Sequence, residues 1–334
     1  MSRRAAPRHL KVVLGPFHDG EREMQARAGV REEAEAVGRI IRNTISPAAG
    51  RLLARQRLAV ATTLDPGGRV WASLLTGEPG FIRAVDETLL RLDAQPVPGD
   101  PLTANLATQP WLGLLVLDPQ TRGRMRFNGR GLLSADGLFL EADQVYGNCP
   151  KYIQLRRLGP DAESAPTPAP SVSRRLDPAQ QSWIANADTF FIGTFHPQAG
   201  ADASHRGGFP GFVRVTAGDQ ISFPDYPGNT MFNTLGNLRV NPRAGLLFVD
   251  FTTGDVLQLT GRARVGDDFV VTFDLDEVRE TRGATRLRFV LVEYSPANPG
   301  ASRRAVTPRS RRHLKSTSRL GPAKEERDDQ AHRV

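Results

Sequence analysis

The chain has 334 residues, enough for two ordinary domains that each bury a core, with 39% apolar and 24% charged residues. No apolar run approaches the roughly 20 residues of a membrane-crossing helix. The single cysteine, Cys149, excludes an internal disulfide, and the six histidines are scattered without ligand spacing, so no metal site is expected. The net charge is +8, but ten Lys/Arg and four Asp/Glu fall from Ala301 onward, leaving the preceding 300 residues close to neutral. That placement argues against a nucleic-acid-binding body and leaves only weak contacts of the tail. Without a signal-peptide pattern or a membrane span, a cytoplasmic protein is expected.

In chain order, residues 1–45 form an N-terminal extension. Within it, 18–45 ("HDGEREMQARAGVREEAEAVGRIIRNTI") reads as helix with Glu and Arg at i, i+4 spacing, Asp19 as its cap, and packing against the first barrel. A first unit spans 46–158. It opens with Ser46-Pro47, an N-cap followed by proline at the first helical position. The strand-like runs "LAVATTL" and "GFIRAV" follow, then a short helix ending at Gln109-Pro110, then "WLGLLVLD" and "RMRFNGRGLL". Residues 159–175, "GPDAESAPTPAPSVSRR", read as a Pro/Ser-rich linker. A second unit, 176–298, repeats the pattern: Asp177-Pro178, "TFFIGTF", "GFVRV", a helix ending at Asn241-Pro242, "AGLLFVDF" and "DVLQLTGRARV". Residues 299–334 form a basic tail expected to be disordered.

The two units align with each other. At a shift of 131, Thr63 falls on Thr194, Ala72-Ser73 on Ala203-Ser204, and Pro79-Gly80-Phe81 on Pro210-Gly211-Phe212. At a shift of 132, Asn105-Leu106 falls on Asn237-Leu238, Gly113-Leu114-Leu115 on Gly245-Leu246-Leu247, and Gly129-Arg130 on Gly261-Arg262. An ordered series over some 85 residues indicates two diverged copies of one domain. Short, evenly spaced strands with one or two small helices per copy point to a mainly β fold, a small β-barrel in α+β style, rather than a βαβ sheet.

The stretches "DASHRGGFPGFVRV", "FPDYPGNTMFNTLGNLRVNPRAGLLFVDF" and "VLQLTGRARV" together resemble the pyridoxamine 5′-phosphate oxidase-like family of FMN-binding split barrels. "VYGNCPKYIQLRR" and the early "GPFHDGEREMQARAGV" resemble a long, two-unit branch of it. The resemblance covers roughly residues 15 to 295. It implies tandem split barrels acting as a pseudo-dimer within one chain, with FMN in a groove between them. It also implies an FMN-dependent oxidoreductase passing electrons between the flavin and a nicotinamide donor, NAD(P)H, or a small organic substrate. The alternative is a non-catalytic carrier or sensor of flavin, deazaflavin F420 or a tetrapyrrole. The chain itself would be a monomer with pseudo-dimer symmetry or a homodimer.

The second copy carries Ser204-His205-Arg206-Gly207-Gly208 where the first has Ser73-Leu74-Leu75-Thr76-Gly77, so the flavin is expected on the second copy's strand. Gly207 and Gly208 would let backbone approach a flat ring, and His205 or Arg206 would stabilise charge on it. Asn229 or Thr230 would begin the helix before Asn241-Pro242, whose N-terminal amides would take the phosphate together with Asn233. Better-known family members carry Ser-Arg-Lys on that helix; here the count lands on Phe232-Asn233-Thr234, without cations. Lys151, Arg156 or Arg157 from the first copy are candidates for the missing charge, Lys151 first. Asn237 and Arg262 would line the groove. His18 and Glu21 read as a helix start, and Cys149 as a buried structural thiol. No catalytic residue is assigned.

Overall fold

The computed structural model describes residues 15–162, 168–216 and 219–300. The tail from residue 301 and part of the predicted linker lie outside them.

Three helices open the chain: α1 (Asp19–Arg27), α2 (Arg31–Gly38) and α3 (Pro47–Leu53). β1 (Leu58–Leu64), β2 (Val70–Thr76), β3 (Ile82–Ala84), β4 (Leu89–Leu92) and β5 (Gln95–Pro96) follow. After α4 (Leu102–Leu106) come β6 (Trp111–Asp118), β7 (Gly123–Ser134) and β8 (Gly137–Gly147). β9 (Leu155–Leu158) and β10 (Ala169–Ser173) lead to α5 (Pro178–Asn186). The second half holds β11 (Thr189–His196), β12 (Gly200–Gly207), β13 (Arg214–Thr216) and β14 (Gln220–Pro224). It closes with α6 (Asn233–Val240), β15 (Arg243–Val249), β16 (Val256–Val265), β17 (Val270–Arg282) and β18 (Phe289–Glu293).

Seven strands of the first half run in the order β3-β4-β8-β7-β6-β1-β2, and those of the second in the matching order β13-β14-β17-β16-β15-β11-β12. Register matches too: Val60 pairs with Leu115, and Phe191 with Leu247. The shared Gly-Arg pairs mark a β-bulge in each half, after Asn128 and after Thr260. A Cβ on Gly129 would stand 2.0 Å from the Glu141 carbonyl oxygen, and one on Gly261 2.1 Å from that of Asp274, so only glycine fits. Both predicted caps are present: Ser46 accepts from the Ala49 amide at 3.2 Å and Asp177 from Gln180 at 2.8 Å.

Each sheet curls round its own core, and a third core joins them. On β1, Ala59 and Ala61 face the first barrel's interior while Leu58 and Val60 face the second barrel. On β11, Phe190 and Ile192 face inward and Phe191 faces the first barrel. Both sides of these strands are therefore apolar, which explains their unbroken hydrophobic runs. The halves form tandem split barrels packed as a pseudo-dimer. At the seam, a Cβ on Gly113 would meet the Ala201 carbonyl oxygen at 2.6 Å, and one on Gly245 would meet that of Val70 at 2.6 Å. The two contacts exchange under the same shift that relates the halves. Gly193 faces Thr62, its own counterpart, so that pair lies on the pseudo-twofold axis.

Three expectations change. The helix predicted over 18–45 breaks at Gly29, whose φ is +68°, into α1 and α2. α1 packs on α6 of the second half rather than on the first barrel: a Cβ on Gly20 would stand 2.3 Å from the Gly236 carbonyl oxygen. Its N-cap is His18, not Asp19. Finally, residues 169–173 of the predicted linker form β10, which pairs with β17. No helix among the described residues is long and apolar enough to cross a membrane.

Gly245→Val should destabilise the protein by about 2 kcal/mol or more, because the added side chain is driven into backbone. Gly50→Ala should stabilise it by about 0.5–1 kcal/mol, since Gly50 is helical with open space at its Cβ. Denaturant unfolding of both variants checks the pair.

Candidate functional site

A cavity of about 450 Å³ opens between the halves. Its floor comes from β7 of the first half, and its walls from β12, the segment after β14 and the start of α6. Alternation along "RMRF" sends Phe127 into the first barrel's core and leaves Arg124 and Arg126 together on the opposite face, toward the second barrel.

Arg126 is buried, touches Tyr146 of its own half at 3.4 Å and is otherwise held by the second half. One Nη donates to Asn233 Oδ1 at 2.6 Å and stands 3.2 Å from Asp202; the other donates to Ser204 Oγ. Thr234 donates to the same Ser204 oxygen at 2.8 Å. Burial works against the Arg126 charge, but Asp202, Tyr146 and Glu21 together outweigh it and hold the pKa above the ordinary value. Arg124 has no such support. Burial first, then Arg126 and Arg206, pull its guanidinium down to about 9, and among the described residues it forms no ion pair.

Arg206 pairs with Asp225 at 3.0 Å, and burial disfavours the charge on both. His205 is pushed well below its ordinary value by burial, then by Arg124 and Arg206, so it is neutral. With Arg124 donating to Nδ1 at 3.3 Å, the ring proton is assigned to Nε2. Nε2 of His205 and Nε of Arg124, Arg126 and Arg206 are all buried without a hydrogen-bond partner. All four side chains line the same cavity and concentrate hydrogen-bond donors and positive charge beside it.

Of the predicted site residues, Ser204, His205, Arg206, Gly207, Asn229, Thr230 and Asn233 all line this cavity. The roles of several differ from expectation. A Cβ on Gly207 would stand 2.1 Å from the Tyr152 carbonyl oxygen and one on Gly208 2.6 Å from Phe212, so protein packing already requires both glycines. Gly208 is outside the lining; its amide donates to the Asp188 carbonyl. Helix α6 begins at Asn233 after Phe232, not at Asn229 or Thr230. Asn237 is turned away: its amide donates to Thr194 at 2.9 Å, as Asn105 does to Thr63 at 2.9 Å, so it ties helix to strand in both halves.

Lys151 is exposed, and its neighbour Tyr152 lines the cavity instead, donating to the Pro227 carbonyl at 2.8 Å. Arg262, just past its bulge, is exposed. Arg156 is spent on Asp188 at 2.5 Å, and Arg157 is exposed. Cys149 is half-buried. The cations that sequence reasoning sought elsewhere are Arg124 and Arg126, and the signal was the Arg-x-Arg alternation on a strand.

The pseudo-symmetric groove is closed. Val256 and Gln258 stand where the shift places Arg124 and Arg126. Leu74, at the His205 position, packs with Leu58, Val97, Leu115 and Phe289. The carboxylate of Asp100 fills the polar corner, accepting from Ser73 Oγ at 2.7 Å, the Leu102 amide at 2.8 Å and Gln258 at 2.8 Å. The protein thus places its own anion where the open groove presents free donors.

Arg126→Ala would leave Asp202 buried without its cation and should cost about 3–5 kcal/mol of stability. Arg124→Ala removes an uncompensated buried charge and should cost under about 1 kcal/mol or stabilise. Denaturant unfolding of the ligand-free protein separates the two.

Residues 176–302 match the family described as pyridoxamine 5′-phosphate oxidase. No curated protein matches the chain. Among solved structures, HupZ of Group A Streptococcus is 11% identical over 36% of this chain and 98% of its own, with a TM-score of 0.25. An FAD-binding protein from Mycobacterium smegmatis is 12% identical over 34% of this chain and 98% of its own, with a TM-score of 0.23. An F420 reductase is 9% identical over 30% and 95%, with a TM-score of 0.23. Across β11 to β18, the second half of the chain is similar to the pyridoxamine 5′-phosphate oxidase family.

Proposed function

We propose that the cavity binds one FMN per chain and that the protein is a flavin-dependent oxidoreductase acting with NAD(P)H or a small organic molecule. The observation that carries this reading is the set of four buried, unpartnered donors on Arg124, Arg126, His205 and Arg206. They fit a ligand with a phosphate and a polar ring edge. Arg126, Ser204, Asn233 and the first turn of α6 would hold the phosphate, with Arg124 adding charge. His205 would donate its Nε2–H, and Tyr152, Tyr226, Phe232 and Phe269 supply flat apolar wall. Bound flavin would supply the electron-carrying ring, and the protein its orientation and electrostatics. The helix lacks the family's Arg-Lys pair, but Arg124 and Arg126 return two cations from the other half, which favours retained phosphate binding.

We also propose that 46–158 and 176–298 are diverged copies of one barrel, on the strength of their equal strand order, register and bulges. Divergence then left one open groove and one closed by Asp100.

Titration with FMN, followed by flavin fluorescence, should give one site per chain. Arg124→Ala should weaken binding at least about tenfold, the loss of one charge-assisted contact. Anaerobic NADH or NADPH should bleach the bound flavin. Bound flavin that no donor bleaches would point to a carrier, and failure to bind FMN would overturn the reading.

A further inference from the structure

The motif His18-Asp19-Gly20-Glu21 has no part in the site as described so far, yet it lies directly behind it. Glu21, on the first turn of α1, is buried at 5% exposure. One carboxyl oxygen accepts from Asn233 Nδ2 at 2.5 Å and the other from the His18 amide at 2.9 Å. The same Asn233 accepts from Arg126 through Oδ1 at 2.6 Å. A single side-chain amide therefore bridges the Glu21 carboxyl and the guanidinium that faces the cavity.

We propose that Glu21 makes anion binding proton-linked: a ligand phosphate taking up Arg126 drives a proton onto the buried Glu21 carboxyl. The inference rests on the FMN reading above and adds its regulation by pH.

The groups round Glu21 come from every element packed on it. β7 supplies Arg126, β12 supplies Asp202, α6 supplies Asn233, and Tyr146 comes from β8. His18 lies 3.5 Å from the carboxyl, but burial and His196, stacked on it at 4.0 Å, lower it to about 4, so this contact is polar rather than ionic. One guanidinium thus serves two carboxyls, Asp202 directly and Glu21 through Asn233. Burial already raises Glu21 to about 7, held back by the hydrogen bonds from the His18 amide and Asn233 and then by the charge of Arg126. A bound dianion draws on the same charge, and Glu21, lacking a direct cation, is the carboxyl that neutralises. The ligand-bound protein then holds more protons than the free one, so binding weakens as pH rises through 7.

Calorimetric titration of the full chain with FMN at pH 7.5, in buffers of differing ionisation heat, reads the proton count. Uptake of more than about half a proton is expected with FMN and none with riboflavin, which lacks the phosphate. Between pH 7 and 8.5, FMN affinity should fall by up to about tenfold per unit. The ligand's own phosphate titrates near pH 6 and its ionisation acts in the opposite sense. Glu21→Gln should remove both the uptake and the slope. FMN binding without uptake, equal uptake with riboflavin, or an unchanged count in Glu21→Gln would each overturn the proposal while leaving FMN binding standing. If Glu21→Gln does not fold, the wild-type counts decide alone. If FMN does not bind, the flavin reading fails, and inorganic sulfate tests the corner: absence of binding, or binding without uptake, overturns the linkage.

Discussion

A guanidinium buried between two β-sheets must find acceptors, and apart from the Tyr146 hydroxyl Arg126 finds them on the half of the chain to which it does not belong. Asp202, Ser204 and Asn233 surround it from β12 and α6, some 80 to 110 residues downstream. Breaking any one contact leaves a desolvated charge or a desolvated acceptor, each more costly than the contact itself is stabilising. The cavity, the placement of α6 and the docking of α1 all depend on this point.

The seam that buries Arg126 is built from small residues. Gly113, Gly245 and Gly193 let the backbones of the two sheets approach to a distance that any side chain would prevent. Close approach drives the apolar faces of β1 and β11 together and leaves two related grooves. Their chemistry then separates on a few positions. Where one groove has Arg126, His205 and an open corner, the other has Gln258, Leu74 and the Asp100 carboxylate. Pseudo-symmetry of the scaffold and asymmetry of the grooves coexist because the first lives in backbone contacts and the second in side chains.

α1 adds a polar layer behind the site. His18, Glu21, Asn233 and Asn237 form buried hydrogen bonds that connect the N-terminal segment with the second barrel. In low dielectric such a layer is sensitive to any charge placed beside it.

Much of this was legible from residues alone. Period-two alternation, the Ser-Pro and Asp-Pro helix starts and the 131–132 self-alignment are local or repeated signals, and they delivered the strands, the caps and the expectation of tandem barrels. The polar strand Ser204 to Gly207 could be singled out because its counterpart in the first half is apolar. What the sequence could not show is which distant groups meet. Arg124 and Arg126 look like ordinary exposed arginines until the seam closes over them. Asn237 looks like a groove residue until Thr194 takes its amide, and Gly207 like a cofactor cradle until the Tyr152 carbonyl occupies the space. Pattern and propensity act over a few residues and are written in the chain. Burial, and therefore which charges are compensated and which are left to a ligand, exists only once the two sheets have packed.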